Sequence, residues 1–129
     1  MKKPLSIILT LSLALLPMPT YAQQNECGTG PSVPFASETI TVSTTAIGFT
    51  LATYAPTGGP VTANQALVFV NTNNLRARFD GVAPTTSVGA IMAAGQFFLV
   101  CSLSLNRTQF IRDDASDVEV FVVYSGPSN

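Results

Sequence analysis

The sequence predicts an all-β fold: one small domain, a β-sandwich or barrel of about seven short strands. Three observations predict it. Polar and apolar residues alternate with a period of two in several short runs, the mark of a strand with one buried face. Gly, Pro, Asn and Asp interrupt these runs about every 8–12 residues, the spacing of all-β domains. After the first 22 residues no stretch keeps a helical period for long.

Residues 66–81, ALVFVNTNNLRARFDG, carry the clearest pattern. Residues 66–70 are apolar. Residues 75–79 alternate strictly, with Leu75, Ala77 and Phe79 on one side and Arg76 and Arg78 on the other. The stretch reads as a β-hairpin turning at Asn71-Thr72-Asn73-Asn74, then turning again at Asp80-Gly81, because Asn and Gly tolerate the positive φ that tight turns need.

The chain in order begins with segments of other kinds. Residues 1–22 read as a signal peptide. Met1-Lys2-Lys3 is a positive start, residues 5–16 (LSIILTLSLALL) are an apolar run, Pro17 and Pro19 break it, and Thr20-Tyr21-Ala22 sets small residues before a cut after Ala22. A bilayer span takes about 20 apolar residues, more than this run supplies. Residues 23–37 are Gly- and Pro-rich and read as an irregular lead-in; residues 38–124 are the β domain; residues 125–129 are a flexible tail.

Within the domain, residues 38–43 and 47–54 read as strands and residues 56–60 as a turn. Residues 82–89 read as a loop and residues 90–95 as the one place for a helical turn. Residues 96–105, 108–112 and 118–124 read as strands, with an acidic turn at residues 113–117. In the last strand Val118, Val120, Val122 and Tyr124 share one face, and Glu119, Phe121 and Val123 the other.

Composition narrows the chemistry. Both lysines fall in the signal segment, leaving Arg76, Arg78, Arg107 and Arg112 against seven carboxylates, so the mature chain is mildly acidic and lacks a nucleic-acid footprint. There is no histidine in the 129 residues, which removes Ser-His and Cys-His nucleophiles and imidazole metal ligands. No catalytic residue, cofactor or metal site is expected. Asp113, Asp114, Asp117 and Glu119 form the densest acidic cluster but lack the ligand spacing of a calcium loop. Arg76, Arg78 and Asp80 fall on one strand face, a candidate contact patch or a plain solvated face with a local ion pair. Phe97, Phe98, Phe110 and Phe121 sit in apolar runs and are expected in the core. Asn106-Arg107-Thr108 is a glycosylation sequon, a motif of low information.

Two cysteines remain, Cys27 and Cys101. In an exported chain they are expected to form one disulfide. The rivals are a buried free Cys101 acting as a small hydrophobe, and a Cys27 that cross-links subunits.

The residues 66–96 also resemble a pattern in small proteins of tailed bacteriophages and prophages. The matching positions are Leu75-Arg76-Ala77-Arg78-Phe79, Asp80-Gly81, Pro84-Thr85, Gly89 and Gly95, with Ile47-Gly48-Phe49-Thr50 upstream and Phe110-Ile111-Arg112 and residues 120–124 downstream. The resemblance implies a small β-structured virion or virion-associated protein without enzymatic activity. The chain departs from the pattern in its signal peptide and its cysteine pair. The expectation is therefore an exported structural or interaction protein, periplasmic or extracellular, on a virion or cell surface. It would work through protein partners or self-assembly, with no nucleic acid and with membrane contact only during export. The alternatives are a secreted sugar- or surface-binding module and a pilin-like fibre subunit. Against the latter, residues 23–26 are short and polar for a donated strand.

Overall fold

The computed structural model describes residues 27, 30–59 and 61–128. The expected signal peptide, residues 1–22, and its expected cleavage site lie outside the described residues. The described residues form eight strands: β1 Ser32–Val42, β2 Ile47–Gly48, β3 Gln65–Val70, β4 Leu75–Arg78, β5 Ala90–Met92, β6 Phe97–Cys101, β7 Gln109–Arg112 and β8 Val118–Pro127. Two helical turns, α1 Leu51–Tyr54 and α2 Ser102–Leu105, join strands at one end.

The strands form two antiparallel sheets, ordered β1-β8-β3-β6 and β2-β7-β4-β5. The pairing is nested: β1 with β8, β2 with β7, β3 with β6 and β4 with β5. Pairs β3–β8 and β4–β7 then complete each sheet. A long antiparallel hairpin of four strand pairs, rolled so that alternate pairs lie in opposite layers, is the jelly roll. The all-β expectation holds, in its sandwich form rather than its barrel form.

Alternation decides what each sheet buries. Ala66, Val68 and Val70 of β3, Val118, Val120, Val122 and Tyr124 of β8, and Ile40 and Val42 of β1 point inward, where Leu75, Ala77 and Phe110 of the other sheet meet them. Each fully buried Val or Leu contributes about 1.5–3 kcal/mol relative to exposure. Aromatic edges join the layers: Phe49 stands edge-on to Phe110 at 5.3 Å and to Tyr124 at 5.8 Å.

Several local expectations are corrected. Residues 66–81 are not a hairpin. β3 and β4 belong to different sheets, and the Asn-rich turn is a crossover whose Asn71 N–H donates to the Glu119 carbonyl in β8. The turn chemistry itself holds, since Asn73 has φ +55° and Gly81 +86°. The strand expected over residues 47–54 stops at Gly48 and gives way to α1. The one over residues 96–105 stops at Cys101 and gives way to α2. In both places the chain must leave its sheet to reach the other layer. Residues 90–95 open as strand β5 rather than a helical turn, paired to Leu75, Arg76 and Ala77 of β4.

The ends of the domain are also more ordered than their composition suggests. β1 begins at Ser32, inside the expected lead-in, and β8 continues to Pro127, inside the expected tail. Each strand supplies the other's hydrogen bonds, from Ser32 opposite Pro127 to Val42 opposite Val118. Pro34 is accommodated because β1 is an edge strand with a bulge between Pro34 and Ala36. Gly126 is buried there, and a Cβ on it would lie 2.2 Å from Val61 Cγ1, so no side chain fits.

Candidate functional site

The disulfide is present: Cys27 and Cys101 are bonded, with Cα atoms 4.5 Å apart and a separation of 74 in sequence. Cys101 ends β6, one edge of its sheet, while β1, which starts soon after Cys27, forms the opposite edge. No helix among the described residues is long and apolar enough to cross a membrane.

The arginine patch resolves into separate ion pairs. Arg76 Nε donates to Asp113 Oδ1 at 2.5 Å, Arg78 pairs with Asp80, and Arg112 Nη1 meets Asp117 Oδ1 at 2.9 Å. The Arg78 guanidinium, helped by the Val82 N–H, holds the Asp80 carboxyl down to about 2, and Asp80 in turn raises the Arg78 guanidinium. Arg76 faces the acidic turn and Arg78 faces Asp80, so the three residues of the candidate patch do not converge on one point.

The acidic cluster is likewise divided. Asp113 faces Arg76 and Asp117 faces Arg112, as above. Asp114 Oδ2 accepts the Asn74 N–H at 2.8 Å, and Glu119 Oε1 accepts from Asn71 Nδ2 at 3.0 Å. Asn73 Nδ2 adds a bond to the Asp117 carbonyl at 2.8 Å. The Asp113, Asp114 and Glu119 carboxylates therefore clamp β4 and the crossover turn to the β7–β8 connection and the start of β8, while the Asp117 carboxylate pairs with Arg112 of β7. They do not share a common centre, and no group of three or more metal-ligating side chains is present among the described residues.

What the structure brings together instead is apolar. On the outer face of the β1-β8-β3-β6 sheet, register places two rows side by side. One row runs Phe97, Phe69, Phe121, Thr39 across β6, β3, β8 and β1; the next runs Leu99, Leu67, Val123, Ser37. Phe97 is 69 % exposed and Leu99 50 %. Phe69 stacks obliquely between Phe97 at 6.1 Å and Phe121 at 6.3 Å. Phe98 and Phe110 do pack at the core, but Phe97 and Phe121 lie on this outer face, which corrects their expected burial.

None of the eight positions is charged. The arginines belong to the other sheet or to loops, and Glu119, one row beyond, is tied to Asn71. The opposite outer face carries Arg76 and Arg78. The signal was present in the sequence as strands apolar on both phases: Ala66–Val70 and residues 97–100 alternate nothing. In a two-layer antiparallel fold such a strand must expose one apolar face. A scan against protein-family models and searches of curated proteins and of solved structures return no match.

Proposed function

We propose that this chain is an exported, non-enzymatic structural protein that works by presenting a sheet face to other protein surfaces. The uncharged apolar face of Phe97, Leu99, Leu67, Phe69, Phe121 and Val123 carries the reading. Apolar area of this kind, gathered on one side and kept free of charge, marks an interaction surface. The disulfide supports an oxidising destination, beyond the cytoplasm. Jelly rolls serve in capsid and lectin domains, which agrees with the likeness to small phage virion-associated proteins as an analogy of fold.

The test is production with the native leader. The secreted form is expected to have lost residues 1–22 and to hold its disulfide, as read by intact mass. At submicromolar concentration the folded protein is expected to bind an environment-sensitive hydrophobic dye, less so in Leu99→Gln. A retained leader defeats export, and a face that neither binds dye nor associates at any concentration defeats the surface.

A further inference from the structure

We infer that the occupant of the apolar face is a second copy of this chain, packed face to face about a twofold axis parallel to the strands. This rests on the proposed role of that face and names its partner.

The argument is the gradient across the face. The most exposed apolar side chains, Phe97 and Leu99, stand on edge strand β6. The smallest, Thr39 and Ser37, stand on the opposite edge strand β1. A twofold axis along the strands reverses strand order while keeping the rows in step. It sets Phe97 over the partner copy's Thr39, Leu99 over the partner copy's Ser37, and Phe69 over the partner copy's Phe121. Each projection on one copy then meets a depression on the other at both edges, the self-complementarity an isologous contact requires.

Charge points the same way. A charged face meeting its own copy would oppose like charges in low dielectric. All eight positions here are neutral, and the carboxylate of Glu119 is held at the margin by Asn71. Size sets the strength. Four strands at about 4.8 Å and five residues at about 3.3 Å give a face of about 19 by 17 Å. Two such faces, stacked at the usual inter-sheet distance of about 10 Å, cover about 650 Å² together, below the ~1,000 Å² of stable interfaces and in the range of weak, transient ones. The association is therefore expected to be weak, a concentration-dependent dimer that forms at high protein concentration.

Sedimentation of the mature, oxidised protein across a concentration series tests this. A monomer–dimer equilibrium is expected. Phe97→Lys and Thr39→Glu, both at exposed positions, are each expected to weaken it at least tenfold at low salt. The two sites lie about 14 Å apart on one copy, three strand spacings. They oppose each other only between copies, so the double variant is expected to recover most of the loss. Near-ultraviolet circular dichroism checks that each variant is folded. A protein that stays monomeric at all concentrations overturns the inference, and continued dye binding by that monomer would leave the proposed interaction surface standing. A dimer in which the double variant is no better than the single ones overturns the twofold arrangement. If the variants fail to fold, the wild-type series alone decides between dimer and monomer.

Discussion

Tyr124 of β8 donates its phenolic hydrogen to Glu38 Oε1 on β1, and the same oxygen accepts the Thr50 N–H at 3.0 Å. One carboxylate thus fastens the two longest strands to the segment that leads into α1. Tyr124 is fully buried. Burial first, and the hydrogen bond to the Glu38 carboxylate second, push its phenol well above the ordinary tyrosine value.

A raised folded-state value means stability that is complete below the unfolded value of about 10 and is lost as pH rises beyond it. Alkaline unfolding is expected to begin there. Tyr124→Phe should cost about 1–2 kcal/mol at neutral pH, because Glu38 loses a donor. It should also make the alkaline decline shallower by about one proton. Urea unfolding at neutral and alkaline pH measures both; an unchanged alkaline slope in the variant would refute the assignment.

The ion pairs should differ in strength by burial. Arg76 and Asp113 have side chains 17 % and 18 % exposed, whereas Asp80 and Asp117 are 54 % and 51 % exposed. Asp113→Ala is expected to cost about 1.5–3 kcal/mol, the range for hydrogen bonds to charged groups. Asp80→Ala and Asp117→Ala, at carboxylates screened by solvent, should each cost less than Asp113→Ala. Equal losses in denaturant midpoints across the three variants would contradict this ordering.

The disulfide closes a loop of 74 positions, for which chain entropy gives about 4 kcal/mol of stabilisation. That is a large part of the about 5–15 kcal/mol typical of a domain. Cys27→Ser/Cys101→Ser, or reduction, is expected to lower the unfolding midpoint strongly while leaving the strand content of the native state. A reduced protein as stable as the oxidised one would show that the bond constrains little.

Calcium should not bind tightly at the acidic turn. Asp113, Asp114, Asp117 and Glu119 face four separate donors, and gathering them around one ion would break the clamp on the crossover. Calorimetric titration is expected to give no saturable heat at micromolar calcium. Micromolar affinity, abolished by Asp114→Ala, would be the contrary result.

Fold class was legible because period two is local: Leu75 and Ala77 against Arg76 and Arg78 can be read without knowing what covers them. Sheet membership was not. The Asn71–Asn74 turn has hairpin chemistry, yet whether β4 lies beside β3 or crosses to the other layer depends on β8 and β7, which come later in the chain and take those places. The ordered ends were hidden for a related reason. Ser32 and Pro127 have weak strand preference alone and are held by each other. At the site, Phe97 looked like core because its neighbours are apolar. Only the register beside Phe69 shows that it points away from Val68 and Val100.

The nested strand pairing has a kinetic consequence. β1 finds its partner only in β8, and β3 completes its pairing only when β8 is in place. That sheet cannot be completed while the chain is still emerging, because β8 joins β1 to the β3–β6 pair, so its native form waits for the last residues to be released. Such non-local pairing folds slowly, on the order of milliseconds to seconds. Under the export proposed above, late closure would keep the chain threadable through a narrow translocation pore for as long as passage takes.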